Sequence, residues 1–441
     1  MSQQPFGFGP PDPDDESNPG QPSPADPLSA LFGGAGAGDI GQALQRFGQL
    51  LSSADGPVSW QLANDTARQA LADAGDASLT SGEQQAVVEA LKLADLWLDP
   101  ATSLGTGASH PAAWCRAEWI ENTLPRWRTL IQTLAERVAA AQSESLPSQL
   151  PEQMQQMAGP LMGMMQQMSG VMFGMQVGQG LGALATEVVG STDVGYPLAD
   201  EGTAALVPAN IAALSEGLEL PAEEVRLYLA LRECAHVRLF HHAPWLRSRI
   251  TADINDYASG ISVDVSGMES LMQGVDPTNP AALQELVQSG VFEPPTTEQQ
   301  QAALGRLETV LALVEGWVDE VVHQAAVDRL PSEAAMRETL RRRRAAGGPA
   351  EATFETLVGL QLRPRRLREA ATFWAALGQA RGQDGRDALW AHPDLLPTTE
   401  DLDDPQAYLA GAADAGTPLD LSTLDDTPAP KESNPEESDS E

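Results

Sequence analysis

Apolar residues recur three and four positions apart along most of this chain, which is the spacing of helices that bury one face. In the N-terminal half this pattern predicts helices over residues 40–51, 65–74 and 81–98. Thr80 and Glu83 have the spacing of a capping box in front of the third helix, where each side chain accepts a hydrogen bond from a backbone N–H of the first turn. The chain is therefore predicted to be mainly α.

The C-terminal half repeats this pattern. It predicts helices that begin at Pro208, near Pro221 and at Trp245, and a long helix over residues 297–328. Residues 272–297 are rich in proline, glycine, asparagine and threonine, and are predicted to form a loop broken by a short helix.

One methionine-rich helix carries glycine at every fourth position, at Gly170, Gly174, Gly178 and Gly182. Each glycine inside a helix costs about 1 kcal/mol against alanine, so this row is favourable only where another backbone packs against it. The alternative is a membrane helix whose glycines form a dimer seam. Because glutamines interrupt the apolar run before it reaches the length of a membrane span, we predict a buried helix and no membrane span.

Charge and composition limit the classes of partner. The 441 residues are 42% hydrophobic and carry a formal net charge of −36, which argues against nucleic acid or an anionic membrane as the principal partner. The N-terminal sequence has no basic segment followed by an apolar one, so a cytoplasmic location is expected. Cys115 and Cys234 lie far apart in helical patterns and are predicted to be reduced, buried thiols.

Composition also divides the chain into four regions. Residues 1–27 are dominated by proline, glycine, aspartate and serine and are predicted to be a disordered tail, because they cannot bury enough apolar surface to fold. Residues 28–200 and 201–400 are two predicted helical regions, and residues 401–441 are a second disordered tail, which is acidic. The pattern leaves open whether the first helical region is a separate domain or wraps around the second.

Two clusters have both a structural and a functional interpretation. Three tryptophans at near-helical spacing are predicted to belong to the core; they are Trp114, Trp119 and Trp127. The arginine runs at 341–344 and 363–368 are the main cationic concentration of the chain. They are interpreted as solvated helix faces that offset the acidic remainder, with a site for carboxylates as the alternative.

One helix carries chemistry on a face that should be apolar. Within residues 227–242, the segment Arg232-Glu-Cys-Ala-His236 has the spacing of the zinc-peptidase motif H-E-x-x-H, with arginine in the first position. In the intact motif two histidines one turn apart bind the metal, and the glutamate is the general base for the metal-bound water. Arg232 is a permanent cation that cannot coordinate zinc, but it could pair with a carboxylate such as a substrate terminus.

A second row of polar residues lies on the helix over 297–328. Glu315, Asp319 and His323 are four positions apart and therefore share one helix face. They could bind a metal, or they could form a surface network of ion pairs one turn apart. Glu315 and Asp319 also have the E-x-x-x-D spacing that supplies the third zinc ligand in the glutamate class of zincins.

These motifs together resemble the bacterial zincin-like metallopeptidase family. The resemblance extends over about residues 28–400 and rests on segments 119–127, 193–197, 231–236, 244–246 and 315–319. It implies a mostly helical fold with a zincin-like core. It also implies zinc as the cofactor, with His236 as a metal ligand, Glu233 as the general base and Glu315 as a further ligand.

The first ligand position departs from the family pattern. A catalytic zinc needs three protein ligands and one open position, and Arg232 stands where the first histidine belongs. Asp319, His323 or His241 would have to replace it if the fold brought one of them close.

Two functions follow from this departure. One is a zinc-dependent metallopeptidase, in which Glu233 takes a proton from the zinc-bound water. The other is a metal-free relative that is catalytically inactive and binds a peptide or protein, with Arg232 paired to Glu233 or Glu315. A third interpretation is a helical scaffold that associates through its glycine face. The substrate and the oligomeric state stay open.

Overall fold

Helices form most of the architecture in the computed structural model, which describes residues 56–144, 152–260, 297–346 and 366–415. The predicted helix over 40–51, the predicted tail over 1–27 and the predicted loop over 272–296 lie outside the described residues. In chain order the elements are α1 (Trp60–Ala74), α2 (Ser81–Leu98), β1 (His110–Ala113), α3 (Arg116–Glu144), α4 (Glu152–Ala185), β2 (Thr203–Leu206), α5 (Pro208–Glu216), α6 (Ala222–His242), α7 (Trp245–Ser259), α8 (Glu298–Ala326), α9 (Glu333–Ala346), α10 (Leu367–Asp387), α11 (Thr399–Asp403) and α12 (Pro405–Ala415). Two short 3-10 helices, Ala388–Ala391 and Pro393–Leu395, follow α10.

The prediction of a mainly α fold is confirmed, and several helix ends follow from local chemistry. The capping box in front of α2 is present, because Thr80 accepts from the backbone N–H of Glu83 and the Glu83 carboxylate accepts from the backbone N–H of Thr80. Thr297 and Gln300 form a second capping box at the start of α8. At the other end of the chain, α11 and α12 continue to Ala415, so the helical chain extends beyond the predicted boundary at residue 401.

The two strands were not predicted from the sequence. β1 and β2 pair in parallel, with His110 opposite Thr203 and Ala113 opposite Leu206. Each strand has only four residues, which is too short for an alternating pattern to be recognised. The pair matters for the site because β2 also packs against α6.

Helix α6 lies at the centre of the described fold. It packs against α2, α5, α8, α9 and β2, and every residue from Tyr228 to Phe240 is buried. The apolar stripe expected from the sequence is therefore not a stripe, because the helix is enclosed on all sides. The buried Arg238 is neutralised by neighbouring α2, where it donates to Asp95 at 2.8 Å and to Asp99 at 2.7 Å.

The glycine row of α4 packs against the backbone of α1 and the residues just before it, as predicted. A Cβ atom at Gly174 would lie 2.6 Å from the carbonyl oxygen of Ser59, and one at Gly178 would lie 2.5 Å from that of Ala63. Ser59 donates its backbone N–H to the carbonyl of Gly170 at 3.0 Å. The missing side chains therefore allow two backbones to approach more closely than helices with side chains can.

The aromatic and cysteine predictions are also tested. The tryptophans Trp114, Trp119 and Trp127 are buried in the core. Both cysteines are free thiols, but Cys234 is buried and Cys115 only half-buried. Across the described ranges, no helix combines the length and apolar character that crossing a membrane requires.

The close contact of α1 and α4 makes a testable prediction. We expect Gly178→Ala to lower the free energy of unfolding by about 1–3 kcal/mol, because the added methyl group would overlap the carbonyl of Ala63 and the Cβ of Thr66. The measurement is urea denaturation of the two proteins.

Gly305→Ala is the matched control. Gly305 lies in α8, and a Cβ there would meet no described atom within 4 Å, so we expect this change to stabilise the protein by roughly 0.5–1 kcal/mol. A Gly178→Ala protein as stable as the wild type would contradict the close approach.

Candidate active site

Three of the predicted site residues meet where α6 crosses α8. Arg232 and His236 lie one turn apart on α6 and both reach Glu315 on α8. The Nη2 atom of Arg232 donates to Oε2 of Glu315 at 2.5 Å, and Nε2 of His236 lies 3.2 Å from Oε1. Arg344 of α9 approaches the same carboxylate, with Nη2 3.1 Å from Oε1. Glu315 is thus the shared partner of two guanidinium groups and one imidazole.

The two guanidinium groups control the charge of Glu315. Burial alone would raise the pKa of this carboxyl, but Arg344 and Arg232 outweigh burial and hold the pKa of Glu315 well below its usual range. Glu315 is therefore a carboxylate at neutral pH, and Arg232 is a fully charged guanidinium whose pKa Glu315 raises further against the opposing effect of burial.

The imidazole of His236 faces oxygen atoms at both ring nitrogens. Its Nδ1 atom lies 2.8 Å from the backbone carbonyl of Arg232, and its Nε2 faces Glu315. A carbonyl and a carboxylate both accept hydrogen bonds, so the two contacts form together only when both ring nitrogens carry a proton. In that form the ring has no lone pair for a metal.

Glu233 points to a different place and has its own set of donors. Its carboxylate accepts from the backbone N–H groups of Ser191 at 3.1 Å, Thr192 at 3.1 Å and Ala205 at 3.2 Å. It also accepts from the hydroxyls of Ser191 and, at 2.6 Å, of Thr192. Five donors meet a group with about four lone-pair directions, and a Cβ at Gly190 would lie only 2.5 Å from Oε2. Glu233 is enclosed as a structural carboxyl, with no lone pair left for a water molecule.

Burial and hydrogen bonding act in opposite directions on Glu233. Burial raises the pKa of this carboxyl, and the hydrogen bonds from Ser191 and Thr192 lower the pKa without cancelling that effect.

The other residues predicted as metal ligands bind elsewhere. Asp319 accepts from Arg337 and Arg341 of α9, each at 2.6 Å, and His323 lies 2.8 Å from Glu333 through Nδ1. The row of Glu315, Asp319 and His323 is therefore divided among separate partners. It is not the surface network considered as the alternative either, since Glu315 and Asp319 are buried.

His241 lies apart from this centre as well. It is exposed at the end of α6, 3.5 Å from Glu201. The structure thus brings together Arg232, His236 and Glu315, and leaves Glu233, Asp319, His323 and His241 with other partners.

Several residues of the site were missed by sequence reasoning. Arg343 and Arg344 were interpreted as part of a solvated helix face, yet both approach Asp193, at 3.3 Å and 3.7 Å. Ser191, Thr192 and Asp193 were interpreted only as turn residues. The available signal was the run of three consecutive polar residues a few positions after the glycine helix, since a buried turn of this kind presents both hydroxyls and backbone N–H groups to a carboxylate.

The donor set does not fit a zinc ion. Zinc needs three or four ligands with free lone pairs, and within residues 56–144, 152–260, 297–346 and 366–415 no three histidine, cysteine, aspartate or glutamate side chains are grouped to hold a metal. The difference between the zinc site that the motif implies and the side chains present has a chemical cause. Arg232 stands in the first ligand position, and the oxygens of Glu315 are directed at guanidinium groups.

Comparisons with known proteins match the fold and the site region. The sequence profile of a family described as zincin-like metallopeptidase matches residues 58–409. A solved structure described as "Crystal structure of a putative hydrolase with a novel fold from Chloroflexus aurantiacus" is similar at 20% sequence identity with a TM-score of 0.53, and the match covers 81% of this chain and 99% of the other. No curated protein matches. At this identity the solved structure shows the likeness of fold alone.

Removal of the central carboxylate tests the ion-pair network. We expect Glu315→Gln to lower the free energy of unfolding by about 3–5 kcal/mol, because it leaves two guanidinium groups beside a neutral amide in a buried site. Glu338→Gln is the control, since Glu338 pairs with the exposed Arg342 and Arg368; no measurable change is expected there. Equal effects of the two changes in chemical denaturation would contradict the proposed importance of Glu315.

The same variant predicts a pH dependence. A carboxyl whose pKa is lowered in the folded state stabilises the fold above its unfolded pKa, about 4.3 for glutamate, and this contribution is lost as the pH falls below that value. The difference in unfolding free energy between wild type and Glu315→Gln should therefore be largest near neutral pH and shrink below about pH 4.3. Denaturation at a series of pH values measures it, and a constant difference down to about pH 3 would be evidence against the lowered pKa.

Proposed function

The chain belongs to the zincin-like metallopeptidase family, and we propose that it is a metal-free member that binds a peptide or protein segment without hydrolysing it. The observation that carries this proposal is the pair of guanidinium groups, from Arg232 and Arg344, directed at Glu315. They neutralise the carboxylate that the zinc-binding members would offer to the metal.

Electrostatics supports this assignment. Two guanidinium groups carry the same total charge as one divalent cation, so the charge on Glu315 is already offset. A zinc ion entering the same space would be repelled by each arginine with about 8 kcal/mol at a separation of 4 Å and an effective dielectric constant of 20, because zinc carries two charges. Zinc binding would therefore require Arg232 and Arg344 to give up their ion pairs with Glu315.

The state of Glu233 supports the loss of hydrolysis independently. A general base must lie within hydrogen-bonding reach of the water whose proton it takes. Glu233 instead accepts from Ser191, Thr192 and Ala205. The motif keeps its glutamate, but the carboxylate oxygens that a catalytic water would need already accept hydrogen bonds from the surrounding backbone and hydroxyls.

A zinc-dependent hydrolase is the second candidate function, and the orientation of the His236 ring favours it. Metal-binding histidines commonly donate the other ring N–H to a backbone carbonyl, which fixes the ring. Nδ1 of His236 contacts the carbonyl of Arg232 in this way. This candidate needs a rearrangement that exposes Nε2, whereas the metal-free proposal needs none.

Metal analysis distinguishes the two candidates. After incubation with zinc and removal of the excess, we expect the purified protein to retain far less than one zinc per chain, and the His236→Ala variant to be indistinguishable from it. Elemental analysis by mass spectrometry provides the measurement. About one zinc per wild-type chain that disappears in His236→Ala would overturn the metal-free proposal and lead to a peptidase screen.

A double variant tests the reason for the absence of binding. We expect Arg232→His together with Arg344→Gln to retain more zinc than the wild type, because the change adds a ligand and removes both cations from Glu315. The control combines Arg232→His with Arg342→Gln, which removes an exposed arginine that pairs with Glu338 and leaves Arg344 in place. If both double variants retain equal amounts of zinc, Arg344 does not exclude the metal.

A further inference from the structure

We propose that the arginines around Asp193 and Glu315 form a binding site for a carboxylate, and that its ligand is the C-terminal carboxylate of a peptide or protein chain. This inference rests on the proposed function, because it names the chemical group that the metal-free site would recognise. It differs from that proposal in that it can fail while the protein remains metal-free.

The cluster has at least one positive charge in excess, before the imidazole of His236 is counted. Three guanidinium groups, those of Arg232, Arg343 and Arg344, face two carboxylates, those of Asp193 and Glu315. The arginines hold the pKa of Asp193 low against the opposing effect of burial, so both carboxylates are ionised and the count of charges holds at neutral pH. A local cationic excess stands out in a chain with a net charge of −36, since the overall field of such a chain repels anions.

The arrangement of burial makes the excess charge accessible. The Glu315 side chain is only 1% exposed, whereas those of Arg344, Arg343 and Arg232 are 12%, 22% and 10% exposed. The Glu315 carboxylate therefore forms the floor of the cluster, whereas Asp193, whose side chain is 16% exposed, lies in the outer layer with the guanidinium groups. A small anion that arrives from solvent meets the guanidinium donors before it meets Glu315.

The chemistry of the donors selects a carboxylate. A guanidinium group presents parallel N–H donors in a plane, which match the two oxygens of a carboxylate in a bidentate contact. Polyanions such as nucleic acid are disfavoured by the charge of the whole chain.

The end of a chain suits this site better than a side chain does. Two of the three arginines are less than one eighth exposed, so a ligand must reach into a partly buried place. A terminal carboxylate has only one chain leaving it, which lets it enter such a place end-on. An aspartate or glutamate inside a segment would have to bring the backbone on both sides with it.

The test uses two pools of randomised pentapeptides that differ only at the C-terminus, one with a free acid and the other with an amide. The full-length protein is incubated with both pools together, and bound peptides are recovered and counted by mass spectrometry. We expect at least a ten-fold enrichment of free acids over amides. This preference should be lost in Arg343→Gln and Arg344→Gln and kept in Arg342→Gln, which changes the neighbouring exposed arginine of the same run.

Two further readouts keep the test decisive. Arg344→Lys keeps the charge but loses the planar fork, so we expect it to retain only part of the acid preference; thermal denaturation of each variant identifies any that fail to fold. Equal recovery of acids and amides would overturn the proposal, as would enrichment of internal aspartate or glutamate regardless of the terminus. Zinc content measured on the same preparations keeps this result separate from the metal-free assignment, because a zinc-free protein without acid preference refutes the carboxylate site alone.

Discussion

Burying charged side chains on a central helix is the constraint on which the rest of this structure depends. A charge removed from water costs several kcal/mol unless a partner offsets it, and α6 carries Arg232, Glu233 and Arg238 while enclosed on all sides. Three groups of neighbours supply the partners: α2 and the residue after it supply carboxylates for Arg238, α8 supplies a carboxylate for Arg232, and β2 with the turn before it supplies the donors for Glu233. The same contacts therefore pack the core around α6 and determine the charges and hydrogen bonds of the site.

The sequence predicted the main helices and a pairing of Arg232 with Glu315, but not the partners that come from turns or from α9. The helix periodicity and the capping box at Thr80 are local properties, so they predicted α2 correctly. The close approach at Gly178 was predictable because a glycine row is costly without a partner backbone. By contrast, the donors to Glu233 come from residues about 40 positions earlier, and Arg344 reaches Glu315 only because α9 folds back on α8. The spacing of residues along the chain predicts neither the contact of the 191–192 turn with Glu233 nor that of Arg344 with Glu315.

In the metal-free state that we propose, guanidinium groups rather than a metal ion offset the charge of Glu315, which changes how the site depends on its surroundings. A zinc ion is exchangeable, and its affinity falls with the protonation of its ligands and with the supply of metal. Arg232 and Arg344 are part of the chain and stay charged at any physiological pH. The charge balance at Glu315 is therefore independent of metal supply.

The glycine contact between α1 and α4 fixes the position of the turn that binds Glu233. With the backbones interlocked near Gly174, α4 cannot slide along α1 by even one residue, which would move it 1.5 Å along its axis. The turn that holds Ser191 and Thr192 begins a few residues after α4 ends at Ala185, so the register of this contact sets where that turn starts. Hydrogen bonds tolerate errors of only a few tenths of an ångström. The positions of the donors around Glu233 therefore depend on a helix contact that lies more than ten residues earlier in the chain.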